Sequence, residues 1–254
     1  MDSLSFDFAD QVVLITGAGR GNGAVLAQGF AQVKATVLVA DIDYETATHT
    51  AAAIREAGGS AHGYALDVTD EAACRNLAAE IAQRHGAIHV LINNAGVLFR
   101  ARFEEPEALK HWKQTVDVNV TGVINVTHAF LAHLKETKGS ILNIASICSY
   151  TPGDTLSMYS TSKGAVLQLT RAMAAEFADH GIRVNGLAPG SFPTAMSAAT
   201  LANPDKFQNY LNHTPMGRTG KADELVGPSV FLSSPLASYI TGAVVPVDGG
   251  YLTR

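Results

Sequence analysis

A short apolar run, Val12-Val13-Leu14-Ile15, leads directly into Thr16-Gly17-Ala18-Gly19-Arg20-Gly21-Asn22-Gly23, after which Val25, Leu26, Phe30 and Val33 recur at helical spacing. A second run, Val37-Leu38-Val39-Ala40, follows. Few folds accept this order. Apolar runs this short fit strands covered on both faces. A helix-length connection between two of them predicts a parallel βαβ unit, because a tight hairpin can join only antiparallel neighbours. Glycines at the turn remove Cβ atoms where backbone must pass close to a ligand, and the N-terminus of the next helix offers N–H groups to an anion such as a pyrophosphate. A glycine-rich turn alone is equally compatible with a plain tight turn; the flanking strand and helix favour the nucleotide reading.

The same alternation continues along the chain. A third extended segment is expected to begin at Ala65-Leu66, followed by an Ala-rich helix over Asp70 to His85 and a strand over His89 to Ile92. A long helix over Val116 to Leu134, a strand over Ser140 to Ala145, a helix over Ser157 to His180, a strand over Arg183 to Leu187 and a final strand over Val244 to Val247 complete the pattern. The fold class is therefore α/β, with about seven parallel strands and helices on both faces. No Pro/Gly/Ser-rich linker or charge run divides the chain, and 47% of its 254 residues are apolar. One domain over residues 1–254 is expected, although length alone would also accommodate two small ones. The least patterned stretch, residues 191–219 with Pro193, Pro204 and Pro215, follows a late strand. Ligands of such sheets bind beyond the strand carboxyl ends, so this stretch is expected to form a substrate lid.

Charge narrows the partners. The net charge is −5, with 18 Lys+Arg and no basic block, which argues against nucleic acid or an anionic membrane and leaves a small molecule. Cys74 and Cys148 form no CxxC pair and are expected as reduced thiols, and the nine histidines are scattered without HExxH spacing, so no metal is expected. The segment Met1 to Asp10 lacks a basic stretch followed by an apolar core, and no run approaches about 18 apolar residues, which predicts a cytoplasmic protein.

Three residues carry chemistry. Tyr159 and Lys163 are four apart, which on a helix stacks them on one face and brings an ammonium near a phenol. A positive charge there favours phenolate, and moving a phenol from about 10 to neutrality requires roughly 4 kcal/mol, within reach of one ammonium and a cationic cofactor ring. Ser146 follows the strand Ile141-Leu142-Asn143-Ile144, so its hydroxyl would emerge at the ligand-bearing sheet edge. Asp41 closes the second strand 18 residues after Gly23. A carboxylate there can accept from both ribose hydroxyls and would repel a 2′-phosphate, which favours NAD over NADP. Arg20 argues the other way, since a guanidinium in the glycine loop could pair with that phosphate.

Over its whole length the chain resembles the short-chain dehydrogenase/reductase family. Thr16-Gly17, Gly21 and Gly23 match its spaced-glycine motif, Asp67-Val68 its adenine-side aspartate, Asn93-Asn94-Ala95-Gly96 its Asn-Asn-Ala-Gly segment, and Pro189-Gly190 with Thr194 its Pro-Gly turn. Asn119, Ser146, Tyr159 and Lys163 match its catalytic residues. Asn22 departs from the family, which usually carries an apolar residue there. The resemblance implies a Rossmann-like doubly wound sheet and a nicotinamide cofactor held by Gly17, Arg20, Gly21, Asn22, Gly23, Asp41, Ile42, Asp67, Val68, Asn94, Ala95, Gly96, Tyr159, Lys163, Pro189, Gly190 and Thr194. It implies hydride transfer between nicotinamide and a secondary alcohol or ketone, with Tyr159 as acid/base, Ser146 binding the substrate oxygen, and Lys163 holding the ribose and reaching Asn119 through water. It also implies a homotetramer built on the long helices. Pocket candidates are Val97, Leu98, Phe99, Cys148, Tyr150, Asp154, Leu156, Phe192, Met196, Phe207 and Tyr210. A polyol or sugar derivative is the favoured substrate. The alternatives are an NADPH-dependent 3-oxoacyl reductase and a catalytically idle NAD-binding scaffold or sensor.

Overall fold

A computed structural model describes residues 6–254. Its centre is one parallel sheet of strands β1 (Val12–Thr16), β2 (Thr36–Asp41), β3 (Ser60–Ala65), β4 (Val90–Asn93), β5 (Ser140–Ile144), β6 (Arg183–Pro189) and β7 (Val244–Val247), in the spatial order β3-β2-β1-β4-β5-β6-β7. Chain order reverses beside β1, whose Ile15 pairs with Val39 on one side and Ile92 on the other. That reversal opens a crevice at the carboxyl end of the sheet, the usual ligand position in such folds.

Side-chain alternation divides the core into two layers. Val13 and Ile15 of β1 pack with Leu26 and Phe30 of α1 (Gly21–Gln32), Ala47 and Ile54 of α2 (Tyr44–Glu56) and Val230 of α9 (Val226–Ser233). Val12 and Leu14 face the opposite way, onto Leu77 and Ile81 of α3 (Glu71–His85), Phe130 of α5 (Gly122–Thr137) and Met173 of α6 (Ser157–Phe177). Between β4 and α5 run α4 (Ala108–Val116) and a π-helical turn, Asp117–Thr121. The stretch 191–219 contains two short helices, α7 (Ala198–Leu201) and α8 (Pro204–His213). Among the described residues no helix is long and apolar enough to cross a membrane.

The seven strands fall as the sequence predicts, with one displacement: Ala65 ends β3 instead of beginning it. β3 is an edge strand whose Ser60, His62 and Ala65 face solvent, so it lacks the apolar run that marks the central strands. The helix expected from Val116 instead forms a longer helical run from Ala108, interrupted by the π turn. Leu109 and Trp112 of α4 lie on the exposed side, which hides the usual inward apolar stripe.

Candidate active site

The glycine turn sits directly above β1. Gly17 has φ +61° and Gly21 φ +58°, in the left-handed region that side chains disfavour. A Cβ on Gly17 would stand 2.7 Å from Ala95 Cα, and one on Gly23 would stand 2.3 Å from the Gly17 carbonyl oxygen. Asn94 locks the arrangement, its Nδ2 donating to the carbonyls of Thr16 and Gly17, both at 2.9 Å. Arg20 precedes α1 without a side-chain cap, so the first N–H groups of the helix remain available to a ligand.

A cleft opens there, lined by Gly17, Arg20 to Gly23, Asp41, Ile42, Leu66 to Val68, Asn94 to Val97, Val118 and Thr194 to Met196. Asn22 Oδ1 is buried with no hydrogen-bond partner. Asp41 is buried at the cleft wall, accepting from the N–H of Gly19 at 2.9 Å and of Asp43 at 3.1 Å. Arg20 is exposed at the rim, and Ile42 is 68% exposed beside Asp41. A turn without Cβ atoms, free helix N–H groups, an unpaired amide oxygen and a ribose-height carboxylate together suit a dinucleotide. Pro189 and Gly190 are not among the lining residues; Gly190 N–H is tied to the Val247 carbonyl at 2.9 Å.

Ser146, Tyr159, Lys163 and Asn119 come together at the inner end of this cleft. Gly96 joins the two parts: it lines the cleft, and its Cβ direction meets Asn119 Oδ1 at 3.3 Å and Lys163 Nζ at 3.6 Å. The Asn119 side chain clasps the loop after β4, accepting from Val97 N–H at 2.8 Å and donating to Val97 O at 3.0 Å and to Ser162 Oγ at 3.0 Å. The π turn supplies the backbone geometry that points this side chain inward. Lys163 Nζ lies 5.8 Å from the centre of the Tyr159 ring and donates to Ile144 O at 2.7 Å. Ser146 Oγ accepts from Cys148 N–H at 3.1 Å, which leaves its own proton free to donate.

The electrostatics differ from the sequence expectation of a phenol held near neutrality by the adjacent lysine. Burial raises the Tyr159 pKa, the nearby Cys148 adds to the rise, and the Ser146 hydroxyl opposes it. Burial lowers Lys163 from 10.5 to about 8. Both groups are therefore driven towards their neutral forms, because desolvation penalises each charged form more strongly than the pair compensates.

Two serines without a role in the sequence reading, Ser149 and Ser162, hold these groups in place. Ser149 Oγ donates to Lys163 O at 2.7 Å and accepts from Ser146 N–H at 3.3 Å, while Ser162 Oγ donates to Tyr159 O at 2.7 Å. Behind them, Asn93 Nδ2 donates to Asn143 Oδ1 at 2.9 Å, and Asn143 Nδ2 to Thr170 Oγ1 at 3.0 Å, fastening β4 to β5 and β5 to α6. Of the pocket candidates, Val97 and Met196 line the cleft. Phe192 is a core residue, Tyr210 stacks on Tyr251 and accepts from Ser191 N–H, and Tyr150 donates to Val244 O. Arg100, absent from the sequence-based set, is half-buried on the loop after β4 and donates to Thr200 Oγ1 of α7.

A family model described as Enoyl-(Acyl carrier protein) reductase matches residues 17–252. The chain is 38% identical over 247 residues to the gluconate 5-dehydrogenase of Gluconobacter oxydans (strain 621H), covering 96% of each chain. It is 39% identical over 241 residues to the galactitol 2-dehydrogenase (L-tagatose-forming) of Cereibacter sphaeroides, covering 93% of each. Among solved structures, a gluconate 5-dehydrogenase from Burkholderia cenocepacia J2315 in complex with NADP and tartrate superposes with a TM-score of 0.94 at 37% identity, covering 98% of each chain.

Proposed function

The chain belongs to the short-chain dehydrogenase/reductase family, and from that premise we propose that it is an NAD-dependent dehydrogenase of secondary alcohols on sugar-derived polyhydroxy compounds. The observation that carries the reading is the convergence of the Ser146 hydroxyl, the Tyr159 phenol and the Lys163 ammonium at the inner end of the dinucleotide cleft. Ser146 donates its free proton to the substrate oxygen and fixes it beside the phenol. In ketone reduction Tyr159, protonated in its buried setting, delivers a proton to that oxygen. In alcohol oxidation Tyr159 takes the carbinol proton. The bound oxidised nicotinamide supplies the hydride acceptor and a positive charge that favours phenolate. Lys163, held by Ile144 O, keeps further N–H groups that would hold the nicotinamide ribose once the cofactor is bound.

Asp41 supports NAD, since a 2′-phosphate would stand against its buried carboxylate. The NADP in the Burkholderia relative counts the other way, and Arg20 is the group on this chain able to receive that phosphate. Relatives acting on gluconate and galactitol support the substrate class. Reduction of 3-oxoacyl thioesters is the second reading, supported by a 3-oxoacyl-(acyl-carrier-protein) reductase of Thermotoga maritima that is 36% identical over 247 residues; activity on a 3-oxoacyl thioester with NADPH, without activity on sugar alcohols, would select it. A homotetramer is supported by the exposed Leu109, Trp112 and Ile124 on α4 and α5, and light scattering that returns a monomer refutes it. Two free cysteines fit a cytoplasmic setting. The lid role of 191–219 is supported by Thr194 and Met196 at the cleft.

The deciding experiment is Tyr159→Phe. Turnover should fall on the order of 10²- to 10⁴-fold with NAD binding retained, and a variant that keeps wild-type turnover rejects Tyr159 as the acid/base.

A further inference from the structure

Tyr210, near the end of α8, reaches across to the chain that leaves β6. Its hydroxyl accepts from Ser191 N–H at 2.8 Å and stands 2.8 Å from where a Cβ on Gly190 would lie, so only glycine there lets the phenol approach. The neighbouring bonds of this chain are made without α8. Gly190 N–H donates to Val247 O at 2.9 Å, Thr194 N–H to Ser197 Oγ at 2.9 Å, and Ser197 Oγ to Phe192 O at 2.5 Å. Three residues beyond Ser191, Thr194 lines the cleft, and its Cγ2 stands 3.8 Å from the Cβ direction of Gly21 in the glycine turn. One phenol from α8 therefore holds the segment that forms this wall of the cleft.

A second phenol holds the first. No residue of α8 is fully buried, so the helix lacks an apolar seat of its own. The Tyr210 ring stacks on the Tyr251 ring, with centres 5.1 Å apart and planes 17° from parallel, and His213, three residues on, packs against the same ring at 4.6 Å. Both contacts are made by the ring of Tyr251, and such pairs contribute beyond the area they bury. Tyr251 opens the short turn Tyr251–Thr253, which Asp248 builds by accepting from the N–H groups of Gly250 and Leu252, each at 2.9 Å. Met216 N–H donates to Gly249 O at 3.1 Å, tying the chain after α8 to the same turn.

We infer that Tyr251 is a positioning residue for dinucleotide binding: its ring fixes Tyr210, and the Tyr210 hydroxyl fixes Ser191 and so the wall that Thr194 presents to the cofactor. A part-buried N–H deprived of its acceptor is unfavourable, and the segment must shift to find another. The inference deepens the dehydrogenase reading and rests on it in taking the cleft as a dinucleotide site.

The test is calorimetric titration with NADH, together with hydrogen exchange of residues 190–196, on the wild-type protein and on variants that separate ring from hydroxyl. Tyr210→Phe keeps the stack and removes the acceptor, whereas Tyr251→Ala removes the stack and keeps the acceptor. Each should weaken NADH binding on the order of ten-fold and speed exchange at Ser191. Tyr251→Phe keeps the ring and should bind NADH as the wild-type protein does. The double variant Tyr210→Phe with Tyr251→Ala should bind no more weakly than the worse single variant, because both act through one bond; two independent structural losses would add. Circular dichroism verifies that each variant is folded. Wild-type affinity in Tyr210→Phe or Tyr251→Ala, weakened binding in Tyr251→Phe, or additive losses in the double variant overturns the inference. A wild-type protein that does not bind NADH refutes the dinucleotide reading, and the inference falls with it.

Discussion

Replacing Lys163 by Met should flatten a specific part of the pH dependence of stability. The ammonium is 5% exposed, hydrogen-bonded to Ile144 O and without a carboxylate within 4 Å among the described residues. Burial moves it from 10.5 to about 8. Below pH 8 both folded and unfolded chains hold the proton, and the folded state carries the full desolvation penalty. Between pH 8 and 10.5 the native lysine has released its proton while the unfolded one keeps it, so unfolding takes up a proton and stability climbs with pH. Above 10.5 both forms are neutral and the penalty is gone. At about 1.4 kcal/mol per pH unit, the full span is worth about 3 kcal/mol. Urea denaturation of cofactor-free protein at fixed concentration, followed through the single tryptophan, Trp112, measures this. The wild-type protein should gain about 2 kcal/mol relative to Lys163→Met between pH 7.5 and 9.5. Titrations of groups that do not interact with Lys163 cancel in that difference, and Cys148→Ser in both backgrounds removes the one thiol that does. A difference that stays flat, or falls, refutes the buried-ammonium argument.

Asp41→Ala should lower the NAD-over-NADP ratio of kcat/KM by on the order of 10- to 100-fold, as removal of a charge facing a phosphate requires; an unchanged ratio in steady-state assays places discrimination elsewhere than Asp41. Gly23→Ala drives a methyl into Gly17 O and, at 2.5 Å, into Asn94 Nδ2. It should cost about 1–3 kcal/mol of stability and weaken NAD binding measured by calorimetric titration, whereas wild-type behaviour in both would show that the turn yields easily.

Legibility in the sequence followed burial. Central strands such as β1 and β4 are covered on both faces and wrote themselves as apolar runs, while edge strand β3, with Ser60, His62 and Gly63, left no such trace. The four-residue interval of Tyr159 and Lys163 located one helix face, but their protonation depends on how completely that face is dried, which no spacing reports. Ser149 and Ser162 had no claim in the sequence because their work is to bind backbone carbonyls of α6, visible only once the chain after Ser146 is packed against that helix.

The wide turn at Asp117–Thr121 has a consequence for how this region can vary. An α-helix advances about 100° per residue, so a single insertion or deletion rotates everything on one side of it by that angle. The turn absorbs one such step, setting the phase between α4 and α5 while aiming Asn119 at the β4 loop. The number of residues separating α4 from Asn119 is therefore constrained, since shortening the span by one would swing the amide away from Val97 and release the loop that follows β4.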